Sequence, residues 1–207
     1  MIVSTEHTDA TEDITQVSPS QRRVDYSKLL ELGHELLLAL GENPDREGLR
    51  DTPRRWADAW REFVEYEPGE THTCFESTSS DQIVCVSGVR VFSYCEHHLI
   101  PFTCEVAIGY RPGEKVLGLS KFARIAHQFA HRLQLQERLG QQIAHEVSRI
   151  SGTEHVIVML RGEHLCMSAR GIRTPGNMTT LATCGAFREQ NALRGEFLQL
   201  IKECSNH

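Results

Sequence analysis

Apolar positions along this chain follow two different periods, and the change from one to the other marks out its elements. The leucine-rich stretch "DYSKLLELGHELLLALG" has helical spacing, with Asp25 as N-cap and Gly41 as stop. Thr52 as N-cap and Pro53 at the first helical position open a second helix, on which Trp56, Trp60 and Phe63 recur on one face. Residues 67–81 carry no period and are predicted to be loop. The run "QIVCVSGVRVF" predicts a strand, a turn at Ser87–Gly88 and a second strand reaching Cys95, and "FTCEVAIGYRP" predicts the next strand. Helical spacing returns after Ser120, taken as an N-cap, with Phe122, Ile125, Phe129 and Leu133 as a core stripe. It continues through "QERLGQQIAHEVSRI" on Leu139, Ile143, Val147 and Ile150. "HVIVMLRGEHLC" predicts a strand ending in a histidine and a cysteine. A Ser/Thr-bearing extended stretch follows, then a last helix over roughly residues 191–203.

Strands, two helices, strands, helix is the order of an α+β fold, not of an alternating α/β one. Residues 1–22 are polar and acidic without apolar period, which predicts a flexible tail. Residues 23–66 form an N-terminal helical segment, and residues 67–207 hold the strands and the remaining helices as the main domain.

Composition narrows the class. With 207 residues, 40% hydrophobic and 24% charged, the chain reads as soluble and globular. Its start has neither a basic region nor an apolar core of a secretory signal, and no apolar run approaches the roughly 18 residues of a membrane span. Seven cysteines without an export signal predict a reducing compartment, the cytoplasm, with thiols free for metal or catalysis. A net charge of −6 argues against a nucleic-acid partner. It leaves room for a small anionic substrate met by a few focused cations.

The candidate chemistry begins in "SYCEHHLIPF", where Cys95, Glu96, His97 and His98 interrupt what would otherwise be buried strand. Cys95 and His98 form a Cys-x-x-His pair, a spacing that lets a tight turn aim both at one ion. "EHLC" supplies a second cluster at the end of a predicted strand, where period 2 puts His164 and Cys166 on one face. Cys95, His98 and Cys166 make three ligands, the number a catalytic zinc takes while keeping a water. His97 and His164 are then left beside the metal to move protons near neutral pH. The bland alternatives are a solvated turn, a satisfied core histidine and a buried apolar thiol.

Several motifs in order, "PDREGLRDTPRRW", "CEHHLIPF", "GLSKFARI", "LQLQERL" and "EHLCMSARGI", resemble the GTP cyclohydrolase I family over about residues 26–203. The resemblance implies the tunnelling fold, in which strands of several subunits close a barrel, here as a homodecamer with active sites between subunits. It implies a hydrolase acting on cyclic amidine C–N bonds: GTP is opened at its imidazole ring, C8 leaves as formate, the ribose rearranges, and 7,8-dihydroneopterin triphosphate closes, a step of tetrahydrofolate and one-carbon metabolism. Carried onto this chain, Cys95, His98 and Cys166 hold Zn2+, whose water attacks C8, and His97 and His164 act as acid and base. Glu137 accepts the guanine N1 and 2-amino protons, with Gln136 supporting the same recognition. Lys121, Arg124 and Arg170 match triphosphate ligands, Arg55 is a contribution from a neighbouring subunit, and Ser120 lies near the ribose hydroxyls. Guanidinium forks suit phosphate oxygens through charge-assisted bonds.

Two departures from the family pattern stand out. Cys104 takes a place where glycine is usual, and the segment "IRTPGNMTTLATCGAF" is about one residue shorter than its counterparts. Two other readings therefore stay open at this point. One is a non-catalytic assembly module whose zinc is closed by Cys104, and the other is a different tunnelling-fold enzyme acting on a pterin or deazapurine.

Overall fold

A computed structural model describes residues 22–78 and 82–204, so the tail expected at the front of the chain lies, apart from Arg22, outside the described residues. The first two elements are the helices α1, Tyr26–Ala39, and α2, Thr52–Val64. Asp25 caps α1 as expected, its carboxylate accepting from the Lys28 amide at 2.9 Å. Gly41 stops it at φ +77°, with its amide on Leu38 O and that of Glu42 on Leu37 O, the pair of reversed bonds that ends a helix on a left-handed glycine. Thr52 turns out to be the first helical residue, and Asp51 holds the N-cap place without a side-chain bond.

Where the two helices cross, a Cβ on Gly33 would come within 3.1 Å of the Pro53 backbone, so only a glycine allows this approach. The predicted aromatic face of α2 is real and docks on a strand: Trp60 lies 4.5 Å and Phe63 4.9 Å from the Tyr94 ring, centroid to centroid.

Among the described residues, seven strands make two sheets. A short pair joins β1, Cys74–Glu76, to β4, Lys115–Leu117. The first of these lies in the stretch read as loop, three residues being too short to show a period. The main sheet has the order β5-β2-β3-β6-β7, from Leu133–Gln134, Val84–Cys95, Pro101–Tyr110, Val156–His164 and Asn177–Thr183. All its pairs are antiparallel except β5 with β2.

The turn expected at Ser87–Gly88 is a bulge inside one long strand. Val86 pairs with Ile108 and Val89 with Val106, so Ser87 and Gly88 together oppose Ala107. Gly88 takes φ +74°, the left-handed conformation that can either reverse a chain or absorb one extra residue. The reversal comes later, at residues 96–100 between β2 and β3, and the thiol and imidazoles of the opening motif sit at this hairpin end.

Helices α3, Leu119–Ala130, and α4, Gln136–Ser151, cover one face of the sheet. Phe122, Ile125, Leu139, Ile143 and Val147 interlock there with Val91, Phe102, Val106, Ile108, Val158 and Leu160 in one fully enclosed cluster. Helix α3 begins one residue before Ser120, which is therefore exposed in its first turn and not its cap. The helix also stops before Leu133, which belongs to β5 and is 43% exposed instead of joining the stripe. No glycine or proline marks this break. It is imposed by pairing of Leu133 and Gln134 with Tyr94 and Cys95, and Gln134 is locked by bonds from its Nε2 to Phe129 O and Gln142 Oε1.

The remaining helices are α5, Leu165–Ser168, α6, Ala186–Glu189, and α7, Asn191–Cys204. A second cluster, Ala107, Ile157, Phe187, Phe197 and Ile201, packs the last two against the other sheet face. Elsewhere that face carries exposed Thr103, Glu105, Arg161 and Glu163. Among the described residues no helix is long and apolar enough to cross a membrane.

Candidate functional site

The β2–β3 connection builds a tight cup. Cys95 ends β2 and is buried, its amide bound to Ile100 O at 2.9 Å, while the amides of His98 and Leu99 fold back onto Cys95 O at 3.3 and 2.8 Å. The turn brings Nδ1 of His97 to 3.9 Å and Nδ1 of His98 to 3.8 Å from the Cys95 sulfur. Among the described residues these three form a group able to hold a metal, with one donor atom of each within 4.8 Å of the others. Both imidazoles are exposed, so the open side of the cup faces away from the core.

Cys166 reaches the cup from the other chain direction. It does not lie on the strand: β6 ends at His164, and residues 165–168 wind into the single turn α5. The alternation invoked to put His164 and Cys166 on one face thus ends one residue too early, and the helical turn brings the thiol round instead. Cys166 stands in hydrogen-bonding contact with Cys95. Burial raises its thiol, the Cys95 sulfur raises it further, and the nearby Arg170 guanidinium opposes both. Cys166 and Arg170 therefore lie close to the Cys95 thiol, beside the compact group that Cys95 forms with His97 and His98.

His164 is placed by its neighbours more than by its own strand. Its ring stacks on Phe102 at 4.6 Å and an interplanar angle of 6°, the two residues being paired across β3 and β6. Its Nε2 lies 2.9 Å from Gln136 Oε1. The Gln136 amide nitrogen faces Leu160 O at 3.2 Å, Met178 O at 3.0 Å and Thr180 Oγ1 at 3.2 Å, so its oxygen must be the atom turned to the imidazole. It follows that His164 donates from Nε2 and, when neutral, keeps a lone pair on Nδ1. Burial lowers its basicity and Glu137, one residue beyond Gln136, raises it. Glu137 is exposed in the first turn of α4, where the helix dipole favours a carboxylate. Gln136 itself is 1% exposed and fully engaged, turned into the protein.

The cations fall into separate places. Lys121 is buried with Nζ on Glu70 O at 2.8 Å, and Arg124 bonds Pro68 O at 3.0 Å. The chain passes them at Gly69, φ +72°, where an added Cβ would lie 2.2 Å from the Arg124 guanidinium. Both cations belong to the start of α3, whereas its far end leads to β5 alongside Cys95. At 1.5 Å per residue the helix axis separates Lys121 from Ala130 by about 14 Å. Arg55 is exposed on α2 and pairs with Asp51 at 3.4 Å. Lys121 and Arg124 thus turn to the 68–70 segment and Arg55 to Asp51, whereas Arg170 acts on the Cys166 thiol and Glu137 on His164.

Cys104 lies apart from the metal-capable group. It is 2% exposed on β3, opposite Gly162, and its thiol donates to Gln136 Oε1 at 3.5 Å. Burial pushes this thiol up to about 12, and its sulfur is turned to Gln136 inside the protein and not to the cup. Cys104→Ala is expected to keep its full metal content, read by elemental analysis of the purified protein. Loss of metal in that variant would restore the closed four-ligand site. Two residues of the cup carried no role in the sequence reading, Glu96 and Arg138, which meet in an ion pair from opposite sides of β5. The only hint was their position, each adjacent to a candidate site residue.

Comparison with known proteins places this geometry among relatives. The sequence model of the family described as GTP cyclohydrolase I matches residues 31–202. The chain is 42% identical to GTP cyclohydrolase 1 of Hyperthermus butylicus, over 86% of this chain and 92% of that one. It is 44% identical to GTP cyclohydrolase 1 of Corynebacterium aurimucosum, over 89% and 97% of the two chains. With GTP cyclohydrolase 1 of Janthinobacterium it shares 45% identity, over 81% and 88%.

Proposed function

This chain belongs to the GTP cyclohydrolase I family, and from that premise we propose that it hydrolyses GTP, opening the imidazole ring, releasing C8 as formate and closing 7,8-dihydroneopterin triphosphate. The observation that carries this reading is the cup at the hairpin end, with a half-buried histidine fixed beside it in one tautomer.

Cys95, His98 and Cys166 are the residues proposed to hold the metal. Thiols and imidazole in a site of this size suit Zn2+ by softness and number. Zinc held there supplies a Lewis acid and brings the pKa of a water down to about 7.

The chain's own groups account for the rest. His164, neutral because of its burial, takes a proton at Nδ1 while Gln136 holds Nε2, and the Glu137 carboxylate favours the cation that results. His97, exposed on the turn, serves as the second proton carrier next to the reacting ring. The two oxygens of Glu137 accept from guanine N1 and the 2-amino group, a paired contact that adenine cannot return. The role of Gln136 is to orient His164, since its own polar atoms are already bonded inside the protein.

Arg170 is near enough to the cup to meet the triphosphate. Lys121, Arg124 and Arg55 turn to Glu70, Pro68 and Asp51 within their own chain, and with Ser120 they are assigned to active sites completed by neighbouring subunits. The main sheet supports the same arrangement. Among the described residues its edge strand β7 has one side without a partner strand, and its polar face is only partly covered, as strands closing a multi-subunit barrel require. We assign residues 23–66 as the helical segment and 67–207 as the catalytic domain of a cytoplasmic homodecamer.

Incubating the purified zinc-loaded protein with GTP should yield formate and, after oxidation, fluorescent neopterin triphosphate in equal amounts. Protein with full metal content that releases neither from GTP would overturn the assignment.

A further inference from the structure

Glu96 stands between the thiol and the imidazoles of the cup, and its carboxylate is bound by Arg138 Nη2 from the first turn of α4. The same guanidinium reaches Gln134 Oε1 through Nε at 3.0 Å and Leu133 O through Nη2 at 3.1 Å. The Glu96 amide donates in turn to Gln134 O at 3.1 Å. The two side chains are 25% and 31% exposed, partly withdrawn from water at the foot of the turn. A planar fork spending three bonds on one strand end and one carboxylate is a rigid tie of a kind a lysine cannot reproduce.

The turn needs such a tie. Leu99, directly after His98, takes φ +53°, a left-handed conformation that a non-glycine residue keeps only where its surroundings impose it. Its own side chain is 53% exposed and packs too little to impose anything.

We propose that Arg138 is a positioning residue for the metal cup: by clamping Glu96 to β5 it holds Cys95 and His98 in ligating geometry and keeps His97 beside them. The proposal rests on the metal site assigned above and extends it. One helical turn would then set all three parts of the site, Gln136 orienting His164, Glu137 facing the base and Arg138 fixing the cup.

The test is cobalt binding to the apoprotein, followed by chelator competition and by the sulfur-to-cobalt charge-transfer band. Loss of a contact that orients metal ligands commonly costs about 10–100-fold in affinity. R138Q is expected to lose at least about tenfold in cobalt affinity, with a weakened band. After zinc saturation it should show a lower kcat for GTP and an unchanged KM. R138K should recover part of the affinity. E96Q, which leaves the bonds of Arg138 to Leu133 and Gln134 in place, should lose as much as R138Q, and the double variant no more than either. If R138Q fails to fold by thermal melting, E96Q carries the test alone. Wild-type affinity and spectrum in a folded R138Q or E96Q would overturn the proposal. Wild-type protein that binds no cobalt through sulfur would overturn the metal site beneath it.

Discussion

Cys166→Ser is expected to strip the protein of its metal and of its turnover of GTP together, while leaving the fold intact. The thiol lies on the one-turn helix α5 at the margin of the main core, so exchange of sulfur for oxygen removes little packing. What it removes is one of the two thiols proposed as ligands in a site with three protein donors. Since loss of a mere supporting contact costs up to about a hundredfold in metal affinity, loss of a ligand should cost more than that. Elemental analysis beside a melting curve separates the outcomes. A folded variant with full zinc content would exclude Cys166 and leave the compact trio of Cys95, His97 and His98 as the metal set.

Gly162→Ala should produce the opposite pattern, an enzyme that keeps its metal and loses its chemistry. A Cβ at this place would stand 2.2 Å from Gln136 Oε1 and 2.7 Å from the Cys104 sulfur, both far inside contact distance. Gln136 has nowhere to retreat, because its amide nitrogen is bound among Leu160 O, Met178 O and Thr180 Oγ1. Displacing the oxygen breaks its bond with His164 and leaves a buried polar group unpaired, which costs about 1–3 kcal/mol of stability. With Nε2 unheld, His164 is no longer confined to the tautomer that offers Nδ1. A positioned acid–base group is worth roughly 10²–10⁴ in rate, and a loss of that order in kcat is expected with zinc content unchanged. Denaturant melts and steady-state kinetics measure the two parts. An unaltered kcat would show that the Gln136 amide does not control His164.

What the sequence revealed of this architecture, and what it withheld, follows from the range of the interactions involved. The helices α1 and α2, the aromatic face of Trp56, Trp60 and Phe63, and the core stripes of α3 and α4 are all written in local spacing, and local spacing was enough. The errors share a cause. Gly88 signals a left-handed backbone, but whether it reverses the chain or bulges a strand depends on β3, a partner that starts more than ten residues later. The end of α3 is set by pairing with β2 and has no residue of its own to announce it. Cys166 was expected to share a strand face with His164, but the strand ends at His164 and a helical turn carries the thiol instead. Candidate ligands were legible because thiols and imidazoles are rare and conspicuous. Arg138 under Glu96 was hidden, since an arginine on a helix looks like solvated surface, and Gln136 was expected to help bind the guanine, not to hold His164 as it does.

Cys104 gives the sheet a chemical memory of its own motions. Its sulfur sits at the centre of β3, protonated and closed off by Gln136 and Gly162, so a thiol-directed reagent cannot engage it while the core stays closed. Cys74, Cys85 and Cys184 are only partly covered and lie nearer the surface. Any adduct that accumulates on Cys104 therefore records excursions in which the sheet and α4, the helix that carries Gln136, part company. Cys104 is thereby a reporter on openings of the core, distinct from the chemistry at the sheet's edge.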